Sequence, residues 1–133
     1  MRRLPILLLA AASLASVQAP DTTQLRVVMQ GQRFTPSRIE ATVGDSVRFE
    51  LESGGPHNVA FDPDSIPAGA LAPLAKNLRI DPRFLVIPEM LIDRGESFTL
   101  SLEGLPPGTY HFYCGPHLAG GMKGVLVVRA REP

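Results

Sequence analysis

The chain has 133 residues, with 13 Lys and Arg against 13 Asp and Glu and a formal net charge of zero at pH 7. That is one-domain length, enough to bury a core without cross-links. Without a long run of like charge it offers no footprint for nucleic acid or an anionic membrane surface, and its single cysteine, Cys114, excludes an internal disulfide.

The first stretch, MRRLPILLLAAASLASVQA, has Arg2 and Arg3, then an apolar run from Leu4 to about Ala15, then Val17-Gln18-Ala19. A charged start, a hydrophobic middle and a small-x-small end predict a secretory signal peptide over residues 1–19, with the mature chain beginning at Pro20. The apolar run is short of the ~20 residues of a membrane span. Without Arg2 and Arg3 the 13 basic residues fall to 11 against 13 acidic ones, a net charge of about −2. Export implies an oxidising compartment, here the periplasm, with the thylakoid lumen as the alternative.

From there the apolar pattern mostly alternates, with turn residues at short intervals. QLRVVM (Gln24–Met29) reads as a first strand, IEAT followed by VGD as a strand and turn, and SVRFELE (Ser46–Glu52) as a strand with Val47, Phe49 and Leu51 on one face. HNVAF (His57–Phe61) follows a Gly-Gly-Pro turn. Asp62–Arg94 holds five prolines and reads as a long connection crossing one edge of the fold, in which AGALAPLAKNL can form a short helix. ESFTLSLE (Glu96–Glu103) puts Phe98, Leu100 and Leu102 on one face; GLPPG turns into TYHFYC, where Tyr110, Phe112 and Cys114 share a face; GVLVVRA closes the domain. Seven or eight short strands so punctuated predict an all-β sandwich over residues 20–133.

An unpaired cysteine in an exported chain is a dimer bridge, a small buried apolar residue, or a group with a chemical task. A c-type haem attachment needs a second cysteine, and a structural zinc site usually needs more cysteines or histidines. Nothing near Cys114 resembles a helix N-terminus that would activate a thiolate for catalysis, and a dimer bridge needs an exposed thiol, whereas Cys114 shares the inward face. Copper fits better: thiolate and thioether are soft ligands, imidazole suits both oxidation states, and two histidines with a cysteine and a weak axial methionine form a blue-copper electron-transfer site. YCGPHLAGGM supplies Cys114, His117 and Met122 in order, and His57 at a strand end offers the fourth donor. Met29 and Met90 read as core or cover residues and His111 as a surface strand residue.

PHNVAFDPDSIPAG and TYHFYCGPHLAGGMKGVLVV resemble the plastocyanins, within the cupredoxin family, over about Gln24–Val128. The resemblance implies an eight-stranded Greek-key sandwich with one copper per chain held by His57, Cys114, His117 and Met122. It also implies that Asn58 ties the two ligand segments together and that Tyr113 marks a second, remote route to the metal. The chain departs from plant-type members in two respects: where they carry a strong acidic patch after the histidine strand, FDPDS has only Asp62 and Asp64, and the segment that follows is longer and carries Arg79, Asp81 and Arg83.

The expected function is that of a monomeric, non-enzymatic shuttle of single electrons between redox proteins such as a cytochrome or a membrane electron-transfer complex, the mature chain itself not inserting in a membrane. His117 is expected at the loop's tip among Gly54, Pro56, Pro116, Leu118, Ala119 and Gly120, small or apolar residues suited to a flat docking patch. Two other readings stay open on the residues alone. One is copper delivery, which favours exposed and labile ligands. The other is an accessory domain of a copper reductase or oxidase, whose second metal site would have only His111 left to draw on.

Overall fold

The computed structural model describes residues 15–133. Most of the expected signal peptide, residues 1–14, lies outside them; residues 15–23 are exposed and lack regular secondary structure. Among the described residues no helix is long and apolar enough to cross a membrane.

Eight strands form two mixed sheets. They are β1 (Gln24–Gln30), β2 (Arg33–Thr35), β3 (Arg38–Thr42), β4 (Ser46–Leu51), β5 (Ala60–Phe61), β6 (Ser97–Ser101), β7 (Gly108–Tyr113) and β8 (Lys123–Arg129), with one helix, α1 (Leu71–Leu78). One sheet runs β2-β1-β4-β6 and the other β3-β8-β7-β5. β1 lies parallel to β4 and β3 parallel to β8, while the other pairs are antiparallel. This is the sandwich the alternation predicted, in the eight-stranded Greek-key form the resemblance implied.

The inward rows match the pattern: Val47, Phe49 and Leu51 from β4, Phe98 and Leu100 from β6, and Tyr110 and Phe112 from β7 are all buried. Phe112 is the hub of the core, edge-on to Phe34 at 4.8 Å and to Phe49 at 5.4 Å, and tilted against Phe61 at 6.0 Å. Its ring lies across the backbone of Gly124, where an added Cβ would come within 2.2 Å of ring carbon Cζ. A glycine opposite Phe112 on β8 is therefore a steric requirement of the core.

β2 was not separable in the sequence, because three residues with one buried side chain show no alternation to read. HNVAF is a regular strand only at Ala60–Phe61; His57 instead makes an isolated antiparallel bridge to Leu91. The partner comes from the long connection. After α1, residues 85–91 run back along the free edge of β5. Phe61 N donates to Leu85 O, Ile87 N to Val59 O, and His57 and Leu91 exchange both backbone bonds at 2.8 Å. Leu85, Ile87 and Leu91 are buried beneath it. α1 buries Leu74, Ala75 and Leu78 and is tied to the end of β6 by Asn77, whose Nδ2 donates to Ser101 O and Glu103 O. The connection thus covers the edges of both sheets on one side, blocking the strand addition an open edge invites.

Tyr110 is fully buried, and its hydroxyl donates to Pro106 O at 2.7 Å, pinning the β6–β7 crossover. Burial pushes its pKa up to about 12. Tyr110→Phe leaves that carbonyl without its partner and should cost about 1–2 kcal/mol in urea unfolding. In the wild type the unfolded phenol ionises near 10 and the folded one only near 12. Stability should therefore fall as pH rises above 10, and this slope should be missing in the variant.

Candidate metal centre

His57 and Cys114 come to one end of the sandwich from different segments. Cys114 follows β7 directly and is fully buried. Beyond it the chain turns through Gly115–Gly120 in a tight 3-10 turn, ended by Gly121 at φ 80°. Backbone bonds close the loop on itself: His117 N donates to Cys114 O, Met122 N to His117 O, and Cys114 N to Met122 O. The three loop candidates are therefore held in one rigid ring, and Pro116 has no N–H to compete for the sulfur.

The donor atoms of His57, Cys114 and His117 all lie within 4.8 Å of one another. Cys114 Sγ is 3.6 Å from His57 Nδ1 and 3.5 Å from His117 Nδ1. The two imidazole rings stand 4.9 Å apart, tilted by 58°. Met122, tied by backbone bonds to Cys114 and His117, is fully buried, as is Met29, whereas Met90 is 43% exposed. His111 is exposed on the outer face of β7, as its strand parity predicted.

His57 is oriented by the backbone of its own segment. Its Nε2 lies 2.8 Å from Ser53 O. A carbonyl can only accept, so Nε2 carries the proton and Nδ1 keeps its lone pair toward the sulfur. Burial pushes the His57 pKa below the usual histidine value; the Ser53 hydrogen bond works the other way, and the neighbouring His117 lowers it further. The ring is therefore held neutral, the form that binds metal. Ser53 O also accepts from Gly31 N at 3.2 Å, which ties the β1–β2 turn to the histidine. Gly54 is required at this contact: its φ is 75°, and an added Cβ would fall 2.6 Å from Gly31 O.

Asn58 joins the two halves of the centre, as expected. Its Oδ1 accepts from Gly115 N at 2.7 Å, fastening the His57 segment to the residue after Cys114. The rim also follows the expectation: Gly54, Pro56, Pro116, Leu118, Ala119 and Gly120 are all exposed and His117 is partly so. Two participants had no readable signal. Ser53 acts through its carbonyl, which every residue type possesses. Leu91 reaches His57 from inside a proline-broken segment.

The set fits copper. One thiol and two imidazoles converge at one end of the sandwich, Met122 is tied to two of these residues through the backbone, and no carboxylate shares the cluster among the described residues. This His–Cys–His–Met grouping is compatible with a type 1 site.

Comparison with known proteins agrees. Residues 22–129 match the model of the copper binding proteins of the plastocyanin/azurin family. The chloroplastic plastocyanin of Pisum sativum is 34% identical over 126 residues, covering 90% of this chain and 68% of its own. The oxidised plastocyanin of Dryopteris crassirhizoma superposes with a TM-score of 0.58 at 33% identity, over 78% of this chain and 99% of its own. A pseudoazurin from Sinorhizobium meliltoi gives 0.55 at 29% identity, over 84% and 76%. The chain belongs to the plastocyanin/azurin family of copper-binding proteins, and it is a plastocyanin-like blue copper electron carrier.

Proposed function

We propose that His57, Cys114, His117 and Met122 hold one copper ion per chain, and that residues 1–19 direct the chain to the periplasm and are removed there. The observation that supports the ligand set is the convergence of Cys114 Sγ with both Nδ1 atoms at 3.6 and 3.5 Å around a histidine already oriented by Ser53. Copper bound there supplies a single electron, taken up or released between Cu(I) and Cu(II). The protein supplies rigidity. The closed ring of residues 114–122, the Asn58 strut and the Ser53 anchor hold the donors in one arrangement, so little has to move when the charge changes. His117, the partly exposed donor, is the exit toward a partner at the apolar rim.

Copper titration of the purified mature chain tests the ligand set. One equivalent should bind with an intense blue thiolate band. Met122→Leu should keep the colour, because the thiolate is untouched, and raise the reduction potential, because a weak donor to Cu(II) is lost. An unchanged potential would remove Met122 from the set.

The partners are redox proteins docking transiently at the His117 end. Such complexes bury little surface, so one central residue matters. Leu118, 43% exposed on the rim, is that residue. Leu118→Asp should slow electron exchange at least about tenfold, since a carboxylate taken out of water without a partner costs more than a neutral polar group does, with the copper spectrum nearly unchanged. Stopped-flow rates would show it; a rate equal to wild type would move docking elsewhere.

A further inference from the structure

The 3-10 turn that carries His117 begins and ends in glycine, at Gly115 and Gly120. Neither has the left-handed backbone that favours glycine; that conformation falls to Gly121, just beyond the turn. What the two share is a covering amide side chain. An added Cβ on Gly115 would fall 3.3 Å from Asn58 Nδ2 and 3.4 Å from Asn58 Oδ1. On Gly120 it would fall 1.9 Å from Gln32 Oε1 and 3.1 Å from Gln32 Cδ. The exposed side chain of Gln32 thus occupies the space that a side chain at position 120 would need.

Both amides come from the His57 side of the centre. Asn58 is the residue after His57. Gln32 lies in the β1–β2 turn, which is bound to the segment before His57. Gly31 N shares its proton between Ser53 O at 3.2 Å and Ser53 Oγ at 3.1 Å, and Ser53 O is the acceptor for His57 Nε2. Asn58 therefore fastens the first residue of the His117 turn to the His57 segment. The last residue of the turn meets the same segment through Gln32, Gly31 and Ser53. Asn58 alone would leave a hinge: a turn held only at Gly115 swings about that end, and His117, in its middle, swings with it.

We infer that Gln32 is a positioning residue for His117: its amide lies over Gly120 and steadies the far end of the turn, so that the imidazole keeps its place beside His57 and Cys114. It acts through the turn, as the outer partners of metal ligands do. The role toward copper rests on the ligand set proposed above; the contact on Gly120 does not.

Amide hydrogen exchange of the metal-free chain tests the brace, and the reduction potential of the copper-loaded chain tests its role. The Gly121 and Met122 amides bond Leu118 O and His117 O. Gln32→Ala should speed their exchange at least about threefold, as a local opening. The Gly115 amide, held by Asn58, and the sheets should exchange as in wild type. Gly120→Ala should have the same effect, because its methyl evicts the Gln32 side chain. In a Gln32→Ala background, where that place is empty, Gly120→Ala should add nothing. With copper bound, Gln32→Ala should raise the potential, since a less firmly held imidazole favours Cu(I), which needs fewer donors. Gln24→Ala, the same change at the far end of β1, should leave both readouts unchanged. Wild-type exchange in Gln32→Ala, equal acceleration in the sheets, or additive effects of the two substitutions would each overturn the brace. Faster exchange with an unchanged potential would overturn the positioning role. A chain that bound no copper would defeat the ligand set, and the exchange result would still decide the brace.

Discussion

Cys114→Ser should abolish the blue colour and leave a folded protein. The band arises from a thiolate bound to Cu(II), and Cys114 is the only thiol in the chain. Serine is nearly isosteric, so the fully buried position keeps its packing, and the backbone bond from residue 114 N to Met122 O does not depend on the side chain. The new hydroxyl costs about 1–3 kcal/mol if it finds no acceptor, against a domain stability of about 5–15 kcal/mol. Far-ultraviolet circular dichroism should match wild type, while copper content falls sharply and visible absorption vanishes. A variant that stays blue would place Cys114 outside the site.

The second large effect lies in the core. Phe112→Ala should destabilise the chain by about 3–5 kcal/mol in urea unfolding, the range for deleting a buried aromatic ring. The cost is at the upper end of ordinary substitutions because three other phenylalanine rings pack on Phe112, at 4.8, 5.4 and 6.0 Å. No neighbour can collapse into the space, since the residue opposite is Gly124. Phe112 also precedes Cys114 by two residues on the same inward row, so the cavity opens directly beneath the copper loop. Phe84→Ala, at a side chain 62% exposed, serves as the control and should fall within about 0.5 kcal/mol of wild type. A Phe112→Ala variant within 1 kcal/mol of wild type would mean that the core repacks around the gap.

The framework was legible because its strands alternate. Val47-Phe49-Leu51 and Phe98-Leu100 each mark a buried row by parity; the two pair within one sheet, and the Tyr110-Phe112 row belongs to the other. The candidate centre was legible for a different reason: Cys114, His117 and Met122 are close in sequence and bear rare donor atoms. Their juxtaposition with His57 needed only that strand ends meet at one end of a sandwich. What escaped was whatever acts through the backbone or without period. Ser53 orients His57 with a carbonyl. The segment 85–91 pairs with β5 irregularly, and Pro82 and Pro88 disguise it as loop.

His57 and Cys114 stand 57 residues apart in the chain, and the strands between them must first reach both sheets. No fragment and no early collapsed state contains both donors in place, because closing so long a loop is only repaid once the non-local pairings form. The centre is therefore among the last features to exist as the chain folds. Metal uptake through it would serve as a clock for completed topology: in a refolding experiment, colour should lag behind the recovery of sheet structure and coincide with burial of the aromatic core.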